Sequence, residues 1–137
     1  KIMKHLILIL FTTFCFSQSD VPEKYWLNDD TFDEVVIGSA FDDNEGETIL
    51  VEFWAEFNAE NCFAKWDQIE NAKYYRIDIA DSPKTKKQYR VRMAPTLIIF
   101  KNGSKQDVFK AGLDLLLPTN LKEIQETINE INKANKF

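Results

Sequence analysis

Arg92-Met93-Ala94-Pro95-Thr96-Leu97-Ile98-Ile99-Phe100-Lys101-Asn102-Gly103 is the stretch on which the fold turns. Met93-Ala94-Pro95 leads into a strand over Thr96 to Phe100, because proline lacks an N–H and belongs at a strand's entry rather than its middle. Lys101-Asn102-Gly103 is a hairpin turn, and Asp107 to Lys110 is the return strand. This end of the chain therefore makes an antiparallel sheet edge.

Upstream, the pattern alternates. Tyr25-Trp26-Leu27 reads as a short strand. Asn28-Asp29-Asp30-Thr31 offers helix caps, with Glu34 three residues after Thr31 in capping-box spacing. Phe32, Val35 and Val36 give that helix an apolar face, and Asp42 to Gly46 is a turn signal. Thr48 to Ala55 is nearly all apolar, as a central strand buried on both faces should be. Asn58 to Asn71 reads as a helix, with Phe63, Trp66 and Ile69 at helical spacing. Tyr74 to Ile79 is a further strand, and Asp81-Ser82-Pro83 starts a short helix. Thr119 or Asn120 caps a last helix whose Leu121, Ile124, Ile128 and Ile131 line one face. The order is βαβαβαββα: an α/β chain with a central mixed β-sheet flanked by helices.

The 137 residues suit one domain. Residues 1–17 read as a secretory signal: Lys1, Lys4 and His5, an apolar run from Leu6 to Phe11 continued to Phe14, and Cys15-Phe16-Ser17 before Gln18. The apolar part is short for a membrane span, which needs ~20 residues. An uncleaved N-terminal anchor is the alternative. The domain then runs over 18–137, and the product is expected to be exported, to a periplasm or outside the cell.

Cleavage would change the inventory. His5, the one histidine, and Cys15 would leave, so Cys62 would stand alone. Losing Lys1 and Lys4 from 17 basic residues that face 22 acidic ones moves the formal charge from -5 to -7. Such a chain cannot build a Ser-His-Asp or Cys-His nucleophile, a His or multi-Cys zinc site, or an internal disulfide. No cofactor and no metal are expected. The acidic balance argues against nucleic acid or anionic lipid.

The order and the motifs together resemble the thioredoxin family over nearly all of residues 18–137. Tyr25 to Asp33 is similar to the family's opening strand and helix, and Ile49 to Phe57 to its central strand and active-site turn. Arg92 to Gly103 is the most specific match, with Pro95 at the family's cis-proline, and Lys110-Ala111-Gly112 resembles the glycine-bearing segment beyond the hairpin. The resemblance implies the thioredoxin fold.

It also implies a C-x-x-C motif where this chain has Asn58-Ala59-Glu60-Asn61. Read without gaps, Asn58 takes the attacking cysteine's place and Asn61 the resolving one's; a one-residue gap would put Cys62 in the second. An amide cannot attack a disulfide as a thiolate does. Glu52 falls where the family has a buried acid that assists proton transfer, and Tyr74 where the family often has a lysine partner.

Several residues are candidates. Asn58 is expected to cap a helix or to contact a ligand. Cys62 is either inert packing or a reactive monothiol near a helix start. Glu52 is either a structural buried acid or a general acid or base. In the family, the backbone before the cis-proline pairs with an extended client. That site would here comprise Phe57, Asn58, Met93, Ala94, Pro95, Gly112 and Leu113. Leu113 to Leu117 either packs under the last helix or marks an interface.

Three readings follow. The first is an exported thioredoxin-like module without dithiol chemistry, which holds a peptide or protein client in the cis-proline groove. The second is a monothiol thiol-disulfide oxidoreductase acting through Cys62 with an external resolving thiol. The third is a structural subunit of an envelope assembly.

Overall fold

A computed structural model describes residues 21–38 and 47–134. The leader read over 1–17 and the turn at Asp42 to Gly46 lie outside them.

Five strands form one mixed sheet in the order β1-β3-β2-β4-β5. They are β1 (Trp26–Leu27), β2 (Thr48–Trp54), β3 (Lys73–Asp78), β4 (Thr96–Lys101) and β5 (Ser104–Lys110). β1 and β2 both run parallel to β3, whereas β4 is antiparallel to β2 and to β5. The α-helices among the described residues are α1 (Pro83–Gln88) and α2 (Leu121–Ala134).

The nearly all-apolar run of β2 is explained by cover on both faces. Val51 and Phe53 pack with Phe32, Val36, Ile77 and Phe100 on one side. Leu50 packs with Leu97, Ile99, Ile124 and Ile128 on the other, under α2. At the hairpin, Asn102 (φ 53°) and Gly103 (φ 75°) both have positive φ, the type I′ turn that an Asn-Gly pair favours.

Three local expectations are corrected. The first helix is a π-helical turn over Asp33–Ile37, and its cap is not the Thr31–Glu34 box. Asn28 Oδ1 instead accepts the Asp30 and Thr31 N–H groups, while Thr31 Oγ1 accepts the Asn28 N–H. This is the same reciprocal logic set three residues earlier.

Second, 58–71 is not an α-helix. Short 3₁₀ turns at Glu56–Asn61 and Trp66–Gln68 flank a break at Cys62, whose ψ of 165° is extended. The break has a cause in the core: the Phe63 N–H donates to Glu52 Oε2 at 2.9 Å rather than to a helical carbonyl. Third, the return strand begins at Ser104, not at Asp107.

α1 is capped from a distance. Ser82 contributes no capping bond, and Asp29 accepts the N–H groups of Lys84 and Thr85. α2 starts as expected, with Asn120 Oδ1 accepting the Glu123 N–H at 3.0 Å. Gln125 then bonds both backbone groups of Glu70, which straps the irregular segment to α2.

Candidate functional site

The turn after β2 is built around one buried amide. Ala55 is still extended; then the chain tightens, and Asn58 sits at φ -127°, ψ 30°, outside helical geometry. Its Nδ2 donates to the Ala94 carbonyl at 2.8 Å and to the Leu115 carbonyl at 2.9 Å. Its Oδ1 accepts from Asn61 Nδ2 at 2.7 Å. Two carbonyls on one side and a donor on the other fix which way the amide faces. The expected capping role of Asn58 is therefore corrected: the side chain joins three segments and caps none.

Those segments are the turn, the loop before β4 and the loop after β5. The Ala94–Pro95 peptide is cis. Pro95 O accepts the Ala111 N–H at 3.0 Å, and Met93 O accepts the Thr96 hydroxyl at 2.6 Å. The loop beyond is closed on itself. The Gly112 N–H donates to Leu116 O, and Gly112 O accepts the Leu115 N–H. Leu115 takes a left-handed φ of 64° to do so, and thereby turns its carbonyl to Asn58.

The expected binding residues thus divide. Asn58, Ala94 and Pro95 are buried, and the Ala94 carbonyl and both Gly112 backbone groups are engaged internally. Three large apolar side chains face solvent around them: Leu113 is 99% exposed, Phe57 72%, and Leu116 49%. Met93 is half-buried and lines a cleft with Gly112 and Leu113.

A second centre lies beneath the turn. Glu52 is fully buried and accepts from Phe63 N–H, from Tyr74 O–H at 2.6 Å and from Arg76 at 3.1 Å. Arg76 Nε also donates to Tyr74 Oη, and its guanidinium lies 5.6 Å from the Trp26 ring centroid. Burial raises the Glu52 pKa, against the pull of Arg76, Tyr74 and the Phe63 N–H. Burial, then Glu52, raises the Tyr74 phenol. For Arg76, burial opposes the charge, yet Glu52 and Tyr74 outweigh it and raise its pKa.

Cys62 is half-buried beside this cluster. Burial, then the Glu52 charge, push its thiol above the ordinary range. Among the described residues it is the one free cysteine, and no group of three or more His, Cys, Asp or Glu could hold a metal ion.

Arg76 was not among the residues singled out in the sequence. Its signal was there: Tyr74 and Arg76 are two apart, so they share a face in any strand. Only the β2–β3 register, with Glu52 opposite Arg76, aims that face at the acid.

A family model for thioredoxin matches residues 23–130. The chain belongs to the thioredoxin family. Among relatives, it is 34% identical over 96 residues to the chloroplastic M-type thioredoxin of Pisum sativum, a match covering 64% of this chain and 51% of that protein. It is 35% identical over 72 residues to the thioredoxin of Rickettsia typhi, covering 47% of this chain and 68% of that one. This thioredoxin-family chain thus spans about half the length of the pea relative. The crystal structure of a Malassezia sympodialis thioredoxin has the same fold, with a TM-score of 0.58 at 18% identity, covering 77% of this chain and 89% of that one. Among the described residues of this family member, no helix is long and apolar enough to cross a membrane.

Proposed function

We propose that this thioredoxin-family protein holds an extended polypeptide partner and performs no dithiol exchange. The observation that carries the reading is the bonding of Asn58. The residue at the expected nucleophile's place is buried and joined to Ala94 and Leu115, where it stiffens the turn against both loops. An amide so used has no route to a disulfide sulfur. The raised pKa of Cys62 speaks against a monothiol mechanism, because the thiolate is the nucleophile.

Binding in this reading is carried mainly by side chains. Phe57, Leu113 and Leu116 offer exposed apolar surface beside a braced turn, which lowers the ordering cost on binding. Glu52 is structural, an anchor for Phe63 and Arg76 rather than a proton shuttle. The leader-like residues 1–17 extend the proposal to export, periplasmic or extracellular.

Insulin reduction by dithiothreitol tests the catalytic half. Wild type and Cys62→Ser should both match the uncatalysed rate; Cys62-dependent turnover would establish the oxidoreductase reading instead. Binding to reduced, carboxymethylated lactalbumin tests the other half. Leu113→Ser with Phe57→Ser should weaken it without lowering the melting temperature.

A further inference from the structure

A cleft of about 590 Å³ lies between the Tyr89–Met93 segment and β5, and reaches Leu113 at one end. Its rim carries Arg90, Arg92, Lys105 and Lys110, and no acidic residue lines it. All four cations are exposed, and none has an ion-pair partner among the described residues. Val91 and Val108 contribute apolar lining. In a chain with 22 acidic and 17 basic residues, this is a local reversal of charge. A second cavity shares Arg90 and Arg92 and continues the basic path to Lys86 and Lys87 at the end of α1.

Two backbone irregularities put cations there. In β5, Lys110, Val108 and Lys105 pair with Thr96, Ile98 and Phe100, with a bulge between Asp107 and Lys105. Strict alternation would send Lys105 to the face opposite Val108; the extra residue, Gln106, returns it to the cleft side. At the end of α1, Arg90 N–H bonds Lys87 O and Val91 N–H bonds Lys86 O, which is a Schellman cap. The cap's left-handed position usually holds glycine, yet Arg90 occupies it at φ 54°. A side chain there costs about 1 kcal/mol, and Arg90 lines both cavities.

We propose that this cleft docks an acidic, extended segment of a protein partner, carboxylates on the four cations and an apolar side chain on Val91 and Val108. The inference rests on the peptide-holding reading above and names the chemistry of the client. β5 is the outer strand of the sheet, so an extended segment can lie along it. The chain's net charge of -5 repels a long polyanion beyond the cleft, whereas a few carboxylates meet the cations locally.

Fluorescence anisotropy on the full chain tests this with labelled peptides alternating Asp-Val, Ser-Val or Lys-Val, and with labelled oligothymidylate. Asp-Val should bind tightest, and weaken about tenfold in Arg92→Glu/Lys110→Glu and again in about 0.5 M salt. Arg90→Gly should also weaken it while keeping or raising the melting temperature, since glycine suits the cap. A merely structural Arg90 would leave binding unchanged and overturn the assignment. Equal binding of Ser-Val and Asp-Val, indifferent to charge reversal, overturns the acidic client but leaves the peptide-holding reading standing. Failure of every peptide removes both. Oligothymidylate binding as tightly as Asp-Val would make the cleft a general polyanion site and overturn the proposal.

Discussion

Asn58 and Ala94 are joined by a 2.8 Å hydrogen bond from a buried side-chain amide to a backbone carbonyl 36 residues away. With the Leu115 contact, it ties the turn after β2 to the loops on either side of the β4–β5 hairpin. Asn58→Ala would strand two carbonyls and should cost about 2 kcal/mol, because a buried polar group without its partner keeps its full desolvation penalty. Asn58→Asp should cost more, since a carboxylate would face both carbonyls. Urea denaturation checks the order; an alanine variant within about 0.5 kcal/mol of wild type would show that the amide braces nothing.

The Glu52–Arg76 pair should be strongly coupled. Arg76→Met leaves an acid in the core without its counter-charge, at a cost of about 3–5 kcal/mol. Glu52→Gln/Arg76→Met should be less damaging than the two single changes summed. A double-mutant cycle measures this, and additive effects would argue against the ion pair as the anchor of Phe63.

pH should resolve the same acid. The folded-state pKa of Glu52 is raised, so between the ordinary glutamate range and the raised value the native protein holds a proton that the unfolded chain has released. Wild-type stability, measured relative to Glu52→Gln, should therefore fall as pH climbs from the ordinary glutamate range through the raised value. A difference that rises with pH in that window would mean the pairing outweighs the burial.

Asp29 should behave in the opposite sense. Burial opposes its charge, but the bonds from Thr85 and Lys84 outweigh it and lower its pKa. Its capping contribution is present above the unfolded-state pKa and is lost as pH falls through the lower folded value. The advantage of wild type over Asp29→Asn in thermal melts should shrink on acidification below about pH 4.

Cys62 should be sluggish. A half-buried thiol with a raised pKa alkylates with iodoacetamide at pH 7 more slowly than glutathione does. Faster modification than glutathione would reopen the monothiol mechanism.

The fold was legible because its determinants are local or periodic. The apolar run of β2, the Asn102-Gly103 turn and the Ile124–Ile128 stripe each state their geometry within a few residues, and pairing merely assembles them. The helix expected over 58–71 failed for a non-local reason. Its spacing is helical, but a carboxylate eleven residues upstream takes the Phe63 N–H, and burial makes that bond decisive.

The candidate site divides in the same way. The sequence alone determined which groups the turn carries: Asn58 and Asn61 bring amides and Cys62 a single thiol, because residue identity settles which atoms are present. Only the tertiary structure decided what those residues do instead. Asn58 finds Ala94 and Leu115, Glu52 finds Arg76 through strand register, and a bulge and a left-handed arginine gather cations scattered from 90 to 110. Hydrogen bonds and charges act over a few ångströms in space, and no spacing along the chain encodes which distant segments will come that close.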